Sequence, residues 1–79
     1  MLPITSLEYT DAINAWYAYP HHDPGKAFMG YLGIHHWQAQ PNGYSMPPEA
    51  ATRLRLLLSP HAHTIIRMYY ARQSDRGSQ

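Results

Sequence analysis

Histidine is the residue whose chemistry stands out first in this chain. Imidazole nitrogens bind zinc, and six histidines are present among the 79 residues. They lie in three short groups, His21-His22, His35-His36 and His61-Ala62-His63. Neighbouring residues on a helix point about 100° apart, and the chain has neither an H-E-x-x-H pair nor a cysteine to complete a tetrahedral site. The sequence therefore favours histidines at or near the surface, and it predicts no cofactor.

A catalytic site is the next kind of chemistry to consider. Serine, histidine and aspartate are all present, but a catalytic triad is defined by geometry rather than by composition. The sequence contains no nucleophile elbow and no glycine-rich phosphate loop around those residues. We therefore expect a protein that is not an enzyme.

Arginine gives the second half of the chain a basic character. Residues 1–49 carry one lysine against four carboxylates, whereas residues 50–79 carry five arginines against one carboxylate. The planar guanidinium pairs well with phosphates and carboxylates, so one interpretation is an anionic partner. The other is a solvated basic face, and the sequence leaves both open. The arginines that we expect to contact a partner are Arg53, Arg55, Arg67 and Arg72.

Two aromatic residues join these arginines in the predicted site. Tyr70 follows Tyr69 on a helix and must face about 100° away from it, and Trp37 lies in a segment rich in helix breakers. Stacking of a nucleic-acid base on such a ring is worth about 1–3 kcal/mol. We therefore predict that Tyr70 and Trp37 contact a partner.

Length and composition restrict the class of protein. A chain of 79 residues is predicted to form a single domain, residues 1–79, because it is too short to bury a second core. The absence of cysteine indicates no disulfide framework, and we find neither a signal peptide nor a membrane helix. We expect a cytosolic protein with no membrane partner.

The first half should contain two helices that carry aromatic residues. Thr5 and Glu8 have the spacing of a capping box, so a helix is predicted to begin there and to end before Pro20, within residues 1–19. In residues 20–47 we expect a short helix after Asp23-Pro24, then an irregular segment with a turn at Asn42-Gly43. A brief hairpin at this turn is an alternative that Pro41 weakens.

The second half should form a basic helix pair, residues 48–73, followed by a frayed tail, residues 74–79. A first helix begins after Pro47-Pro48, and Ser59-Pro60 both ends it and caps the next. The fold class that we expect is mostly α, a small bundle of about four helices with an irregular Pro/Gly-rich middle segment. The predicted core residues are Ile13, Trp16, Leu54, Leu57, Leu58, Ile65, Met68 and Tyr69.

Two segments resemble bacteriophage antitermination proteins of the Q type. Residues 12–16, A-I-N-A-W, are similar to the opening helix of that family, which contains an aromatic residue. Residues 48–58 with residues 64–72 look like the family's helix ending in an L-x-x-Y-Y element, a pattern shared with region 4 of sigma factors. In those relatives a helix-turn-helix follows, and its second helix enters the DNA major groove. Because this sequence stops at Gln79, the resemblance implies a unit truncated before the recognition helix.

The resemblance implies a regulator that contacts RNA polymerase, DNA or both. Binding to DNA through the arginines would be non-specific and steeply dependent on salt. The alternative is a stand-alone phage inhibitor of a host protein complex, such as an anti-CRISPR or another anti-defence factor. A third hypothesis is a homodimer whose seam contains Leu54, Leu57, Leu58 and Ile66.

Overall fold

Four helices and a three-stranded antiparallel sheet make up the part of the chain that the computed structural model describes, residues 1–21, 23–33 and 37–77. Of residues 74–77 it describes the backbone. The elements in chain order are β1 (Leu2–Thr5), α1 (Ser6–Ala18), α2 (Pro24–Leu32), β2 (Gln38–Gln40), β3 (Gly43–Met46), α3 (Pro48–Leu56) and α4 (Ala62–Gly77). None of these helices is both long and apolar enough to cross a membrane.

Helix α1 begins at the predicted capping box. The amide of Glu8 donates to the Thr5 hydroxyl oxygen at 3.1 Å, and the amide of Thr5 donates to the Glu8 carboxylate at 3.0 Å. Two amides that a helix start leaves unpaired are thereby satisfied. The helix ends at Ala18 because Tyr19 is extended and Pro20 follows. Both predicted ends of this helix are confirmed.

The sheet is the feature that corrects the predicted fold class. A mostly helical domain is confirmed, but it is not a pure bundle, because β3 pairs with β1 on one side and with β2 on the other. The chain turns at Pro41-Asn42, one residue before the predicted Asn42-Gly43, and the alternative of a hairpin, here formed by β2 and β3, is confirmed despite Pro41. Strand β1 was not expected. Ile4 and Met46 from the paired strands are both buried, so the sheet contributes to the core.

Helix α2 begins at Asp23-Pro24 as predicted, but Asp23 caps it in a different way. Phe28, Tyr31 and Leu32 are buried, and Pro24 occupies the first turn. Asp23 does not cap the helix with its side chain, because its backbone is left-handed with φ 56° and ψ 45°. The Asp23 carbonyl instead accepts the amide of Ala27 at 3.1 Å.

The tight connection between α3 and α4 is held by Ser59. Its hydroxyl donates to the Leu56 carbonyl at 2.7 Å and accepts the amide of His61 at 3.2 Å. The residues of the predicted helix pair are thus helical on both sides of this turn. Helix α4 continues to Gly77, past the predicted end at residue 73, and residues 78–79 of the predicted tail lie outside the described residues.

Trp16 lies at the centre of the core. Its ring contacts Phe28, Tyr31, Tyr69 and Tyr70, with ring centroids 5.1–5.8 Å apart. Helix α1 therefore packs against both α2 and α4 through one fully buried indole.

The predicted core is only partly correct. Trp16, Leu54 and Leu57 are buried, and Ile13, Ile65 and Tyr69 pack partly buried against them. The prediction is wrong for Leu58 and Met68, whose side chains are 40% and 61% exposed. Leu58 lies past the end of α3, where helical spacing no longer applies, and Met68 lies two residues from the buried Ile66, on another side of α4.

The seam of the homodimer hypothesis is for the most part inside the chain. Leu54, Leu57 and Ile66 are each at most 2% exposed, and Leu58 is the accessible residue of the four. These three side chains form the domain's own core, so they cannot also form a surface between two copies.

Candidate functional site

A groove of about 840 Å³ runs between the C-terminal end of α2 and the helices α3 and α4. We call it the α3–α4 groove. It is lined by Gly30, Tyr31, Arg53, Leu56, Ile65, Met68, Tyr69, Arg72 and Gln73. Its volume falls within the range of small-molecule pockets, but it is open to solvent along its length, as a groove for a macromolecule would be.

Helical spacing explains which side chains reach the groove. Arg53 and Leu56 are three residues apart on α3, and Ile65, Met68 and Arg72 occupy positions i, i+3 and i+7 of α4. Residues at these intervals lie on one side of a helix. Each wall of the groove therefore combines apolar side chains with one guanidinium.

Arg53 is held against the domain by a reciprocal pair of hydrogen bonds with Tyr31. Its guanidinium Nη1 donates to the Tyr31 carbonyl at 3.1 Å, and the Tyr31 hydroxyl donates to the Arg53 carbonyl at 2.9 Å. Burial raises the pKa of the Tyr31 phenol, against the smaller opposing effect of Arg53, so the hydroxyl keeps its proton for this bond. Arg53 therefore lies at the groove in a fixed position, with N–H donors left over.

The apolar part of the groove is unusually exposed. Leu56 is 47% exposed and Met68 is 61% exposed, one on each wall. Exposed apolar side chains gathered in a concave surface are typical of an interaction site, whereas scattered ones need no explanation. Methionine in addition adapts its shape to different partners.

The charge of the groove is of one sign. Of the described residues, those that line it include Arg53 and Arg72 but no aspartate or glutamate. Among the side chains that the structure describes, neither arginine forms a salt bridge. The groove therefore offers two guanidiniums beside apolar surface.

Arg55 was predicted to contact a partner but is engaged within the fold. Its guanidinium lies 3.1 Å from the Glu8 carboxylate and donates to the Pro3 carbonyl at 3.0 Å. The Thr5 amide and then Arg55 hold the pKa of Glu8 below its usual value. Arg55 thus ties α3 to β1 and to the start of α1, and it does not line the groove.

The remaining predicted contact residues lie outside the groove. Arg67 is exposed on α4. Tyr70 accepts a hydrogen bond from the indole of Trp16 at 3.1 Å and stacks on His21, with ring centroids 3.7 Å apart. Tyr70 lines a second, smaller pocket of about 330 Å³ that shares Gly30, Tyr69 and Gln73 with the groove.

Trp37 is partly buried rather than displayed in a loop. Its ring centroid lies 6.4 Å from that of Tyr9 and 6.2 Å from that of Tyr44, next to the β-hairpin. Its indole N–H is buried without a hydrogen-bond partner among the described residues. Of the six predicted site residues, the structure thus brings only Arg53 and Arg72 together in the groove.

The structure describes three of the six histidines that the sequence offers as metal ligands. His22, His35 and His36 lie outside the described residues. His21, His61 and His63 are exposed, and His63 packs edge-on against Tyr19 at 6.0 Å. Within the described part of the chain, no three residues of the types His, Cys, Asp and Glu come together as a metal site would require.

Sequence reasoning missed Leu56 and misassigned Met68, the two most exposed apolar residues of the groove. A signal for both was present, because Leu56 lies outside the stripe of Ala51 and Leu54, and Met68 pairs with Arg72 at i, i+4 rather than with Ile66. Apolar residues off the core stripe of an amphipathic helix are the pattern that would have indicated an interaction surface.

Comparison of the chain with protein-family models, with curated proteins and with solved structures gives no match. The likeness to Q-type antitermination proteins therefore depends on the short segments in which it was observed. The second of them, residues 48–58 with residues 64–72, contains the α3 and α4 residues that line the groove except Gln73.

Proposed function

We propose that this protein is a small regulatory binding protein of the Q-type antiterminator kind, which acts by holding a protein partner in the α3–α4 groove. The observation that carries the proposal is the groove itself, where exposed Leu56 and Met68 lie beside Arg53 and Arg72. Arginine and methionine are enriched at protein interfaces, while lysine and acidic residues are depleted. The lining of the groove has this composition.

A protein partner accounts for the surface better than DNA does. Phosphate binding requires several guanidiniums spread along one face, and Arg55 is already bonded to Glu8 and Pro3. A phosphate backbone would also leave Leu56 and Met68 in water. Contacts of Arg67 and Arg72 with nearby DNA remain compatible with the proposal as a secondary, non-specific contribution.

RNA polymerase is the partner that the resemblance favours. The segments that resemble Q-type proteins supply Arg53 and Leu56 on one wall and Ile65, Met68 and Arg72 on the other. The host bacterial cytoplasm is the compartment in which such a regulator would work.

The test is a pull-down of purified bacterial RNA polymerase together with a terminator read-through assay. The wild-type chain is compared with Met68→Glu, which places a carboxylate on the apolar groove wall, and with Leu7→Glu as a matched control. Leu7 is 70% exposed on α1 and does not line the groove. We expect binding and read-through with the wild type and Leu7→Glu, and loss of both with Met68→Glu. Absence of polymerase binding by the wild type would remove the antiterminator proposal.

An inhibitor of another host complex is the second candidate, since the same groove would serve it. An anti-CRISPR or other anti-defence factor also works by occupying a protein surface, often with few residues that dominate the affinity. Affinity purification from the host, followed by mass spectrometry, identifies the complex that the wild type retains and the Met68→Glu variant does not. The identity of that complex distinguishes the two candidates.

A further inference from the structure

We infer that the segment bound in the α3–α4 groove is an acidic amphipathic helix of the partner protein. This inference rests on the proposed function and adds to it the chemistry of the partner. Three features of the groove carry it: the kind of walls, the sign of the charge and the position of the exposed apolar side chains.

The walls favour a helix over an extended strand. A peptide that binds as a strand pairs its backbone with the free edge of a sheet. The groove is instead lined by residues of α2, α3 and α4, and none of its lining residues belongs to β1, β2 or β3, so the groove presents no free sheet edge. Recognition must therefore occur through side chains, as when an amphipathic helix places its apolar residues into a groove between helices.

The charge of the groove selects an acidic segment. Arg53 lies on one wall and Arg72 on the other, and none of the described side chains of the lining is a carboxylate. A helix with acidic residues flanking its apolar stripe would meet one guanidinium on each side. Guanidinium and carboxylate can form two parallel hydrogen bonds, so the contact is directional as well as attractive.

Arg53 is prepared for this contact before a partner arrives. Its guanidinium is already oriented toward α2 by the 3.1 Å bond to the Tyr31 carbonyl, while the 2.9 Å bond holds the Arg53 backbone to the Tyr31 hydroxyl. A side chain that is ordered in the free protein loses less conformational entropy on binding. The pair of Arg53 with a partner carboxylate should therefore be stronger than an ordinary surface ion pair.

The apolar contact is supplied by Leu56 and Met68. These side chains are exposed on opposite walls, and a leucine-type residue inserted between them would remove both from water. An apolar stripe at spacing i, i+3, i+4, i+7 of the bound helix has the width to do this. The groove therefore specifies apolar residues in the middle of the ligand and acidic residues at its edges.

The experiment is selection from a display library of random peptides of about 15 residues, the length at which an isolated helix begins to form. The full chain is immobilised, and each enriched peptide is measured by fluorescence anisotropy against the wild type, Met68→Glu and Leu7→Glu. We expect peptides with a helical apolar stripe and flanking Asp or Glu, weakened about tenfold or more by Met68→Glu and unchanged by Leu7→Glu. Failure to enrich any peptide that depends on Met68, or enrichment of basic peptides, would overturn the inference.

A charge exchange tests the role of Arg72 directly. Arg72→Glu should weaken the best acidic peptide about three- to tenfold, and a peptide whose acidic residues are replaced by lysine should recover that loss on the variant. Equal effects on both peptides would contradict the pairing. Circular dichroism of each variant checks that the helices are intact.

Competition with a DNA duplex shows whether the groove binds an acidic helix or nucleic acid. If a short duplex at physiological salt displaces the selected peptides from the wild-type chain, the groove binds phosphate and the inference fails. Should RNA polymerase be retained by way of Met68 while no acidic peptide is selected, the proposed function stands and only the nature of the bound segment is wrong.

Discussion

The indole nitrogen of Trp16 donates a hydrogen bond to the phenolic oxygen of Tyr70 at 3.1 Å, joining residues 54 positions apart in the chain. Trp16 is fully buried on α1, and Tyr70 lies partly buried on α4. Burial is the main influence on the Tyr70 phenol and raises its pKa, so the hydroxyl stays neutral as an acceptor across the physiological range. This bond connects the aromatic core to the helix that forms one wall of the groove.

Tyr70→Phe should destabilise the domain by about 1–3 kcal/mol, because it leaves the indole N–H of Trp16 buried without an acceptor. The measurement is urea unfolding followed by tryptophan fluorescence. Tyr17→Phe is the matched control, since Tyr17 is 55% exposed on α1 and its hydroxyl is not a partner of Trp16. A Tyr70→Phe variant as stable as this control would show that the bond contributes nothing net.

Glu8→Gln should lower stability at neutral pH and matter progressively less in acid. The pKa of Glu8 lies below 4.5 in the fold, mainly because its carboxylate accepts the Thr5 amide and also because of Arg55. A depressed folded pKa gives stability that is present above pH 4.5 and lost as the pH falls through the folded value. Glutamine keeps an oxygen that can accept the Thr5 amide, so the variant loses mainly the charge of Glu8. Because Arg55 is nearly half exposed, we expect a loss of about 0.2–1 kcal/mol at neutral pH.

The measurement for Glu8 is the difference in unfolding free energy between wild type and Glu8→Gln at several pH values from neutral to acid. Glu49→Gln serves as the control, because Glu49 is an exposed acid in the first turn of α3 and does not join the network of Arg55. A difference that stays constant down through pH 4.5 would contradict the assigned role of the ionised Glu8.

Local signals in the sequence predicted the helices because each helix boundary depends on neighbouring residues. The capping box of Thr5 and Glu8, the stop at Pro20 and the polar turn at Ser59-Pro60 all act within four residues. Strand β1 could not be predicted in this way, since Leu2–Thr5 is short, contains Pro3 and pairs with residues 43–46. Its existence depends on a contact distant in the chain, which no local pattern reports.

The site was predicted in its residue types more than in its geometry. The arginines of α3 and α4 carry the same charge in the sequence, but Arg53 faces the groove while Arg55 pairs with Glu8 across 3.1 Å. That difference depends on where α1 and β1 lie relative to α3. Likewise, the sequence predicts that Tyr70 contacts a partner, yet its hydroxyl accepts a hydrogen bond from the indole of Trp16 inside the domain. Which of several arginines or tyrosines forms a contact within the domain depends on how the helices and strands pack, and the sequence alone does not show that packing.

Gly43→Ala should be among the most damaging single substitutions in the chain. Gly43 opens β3 with φ 152°, and a Cβ there would run into the Ile4 carbonyl and approach the Ser6 amide at 2.9 Å. Both obstacles are backbone atoms, one in β1 and one at the start of α1, so they cannot move aside without disturbing the pairing of β1 with β3. We expect a loss of at least about 2 kcal/mol, from backbone strain together with the lost pairing.

Urea unfolding and the amide shifts of Leu2, Ile4 and Thr5 report the Gly43→Ala effect. Gly25→Ala is the control, because a Cβ at Gly25 meets the Tyr17 hydroxyl at 2.9 Å, the far end of an exposed side chain that can rotate away. If the two variants are equally stable, the close approach of Gly43 to β1 is not a constraint on the fold.

Gly30→Ala tests the contact between α2 and the groove wall. Alanine favours a helix interior by about 1 kcal/mol over glycine, yet a Cβ at Gly30 would lie 2.6 Å from the Tyr69 hydroxyl. Tyr69 cannot easily turn away, because its ring contacts Trp16 and Tyr31. We therefore expect Gly30→Ala to destabilise the wild type but to stabilise a Tyr69→Phe background, with a coupling of at least about 1 kcal/mol in the four-variant cycle. Additive effects would mean that Tyr69 moves freely and that the wall between α2 and α4 is not fixed.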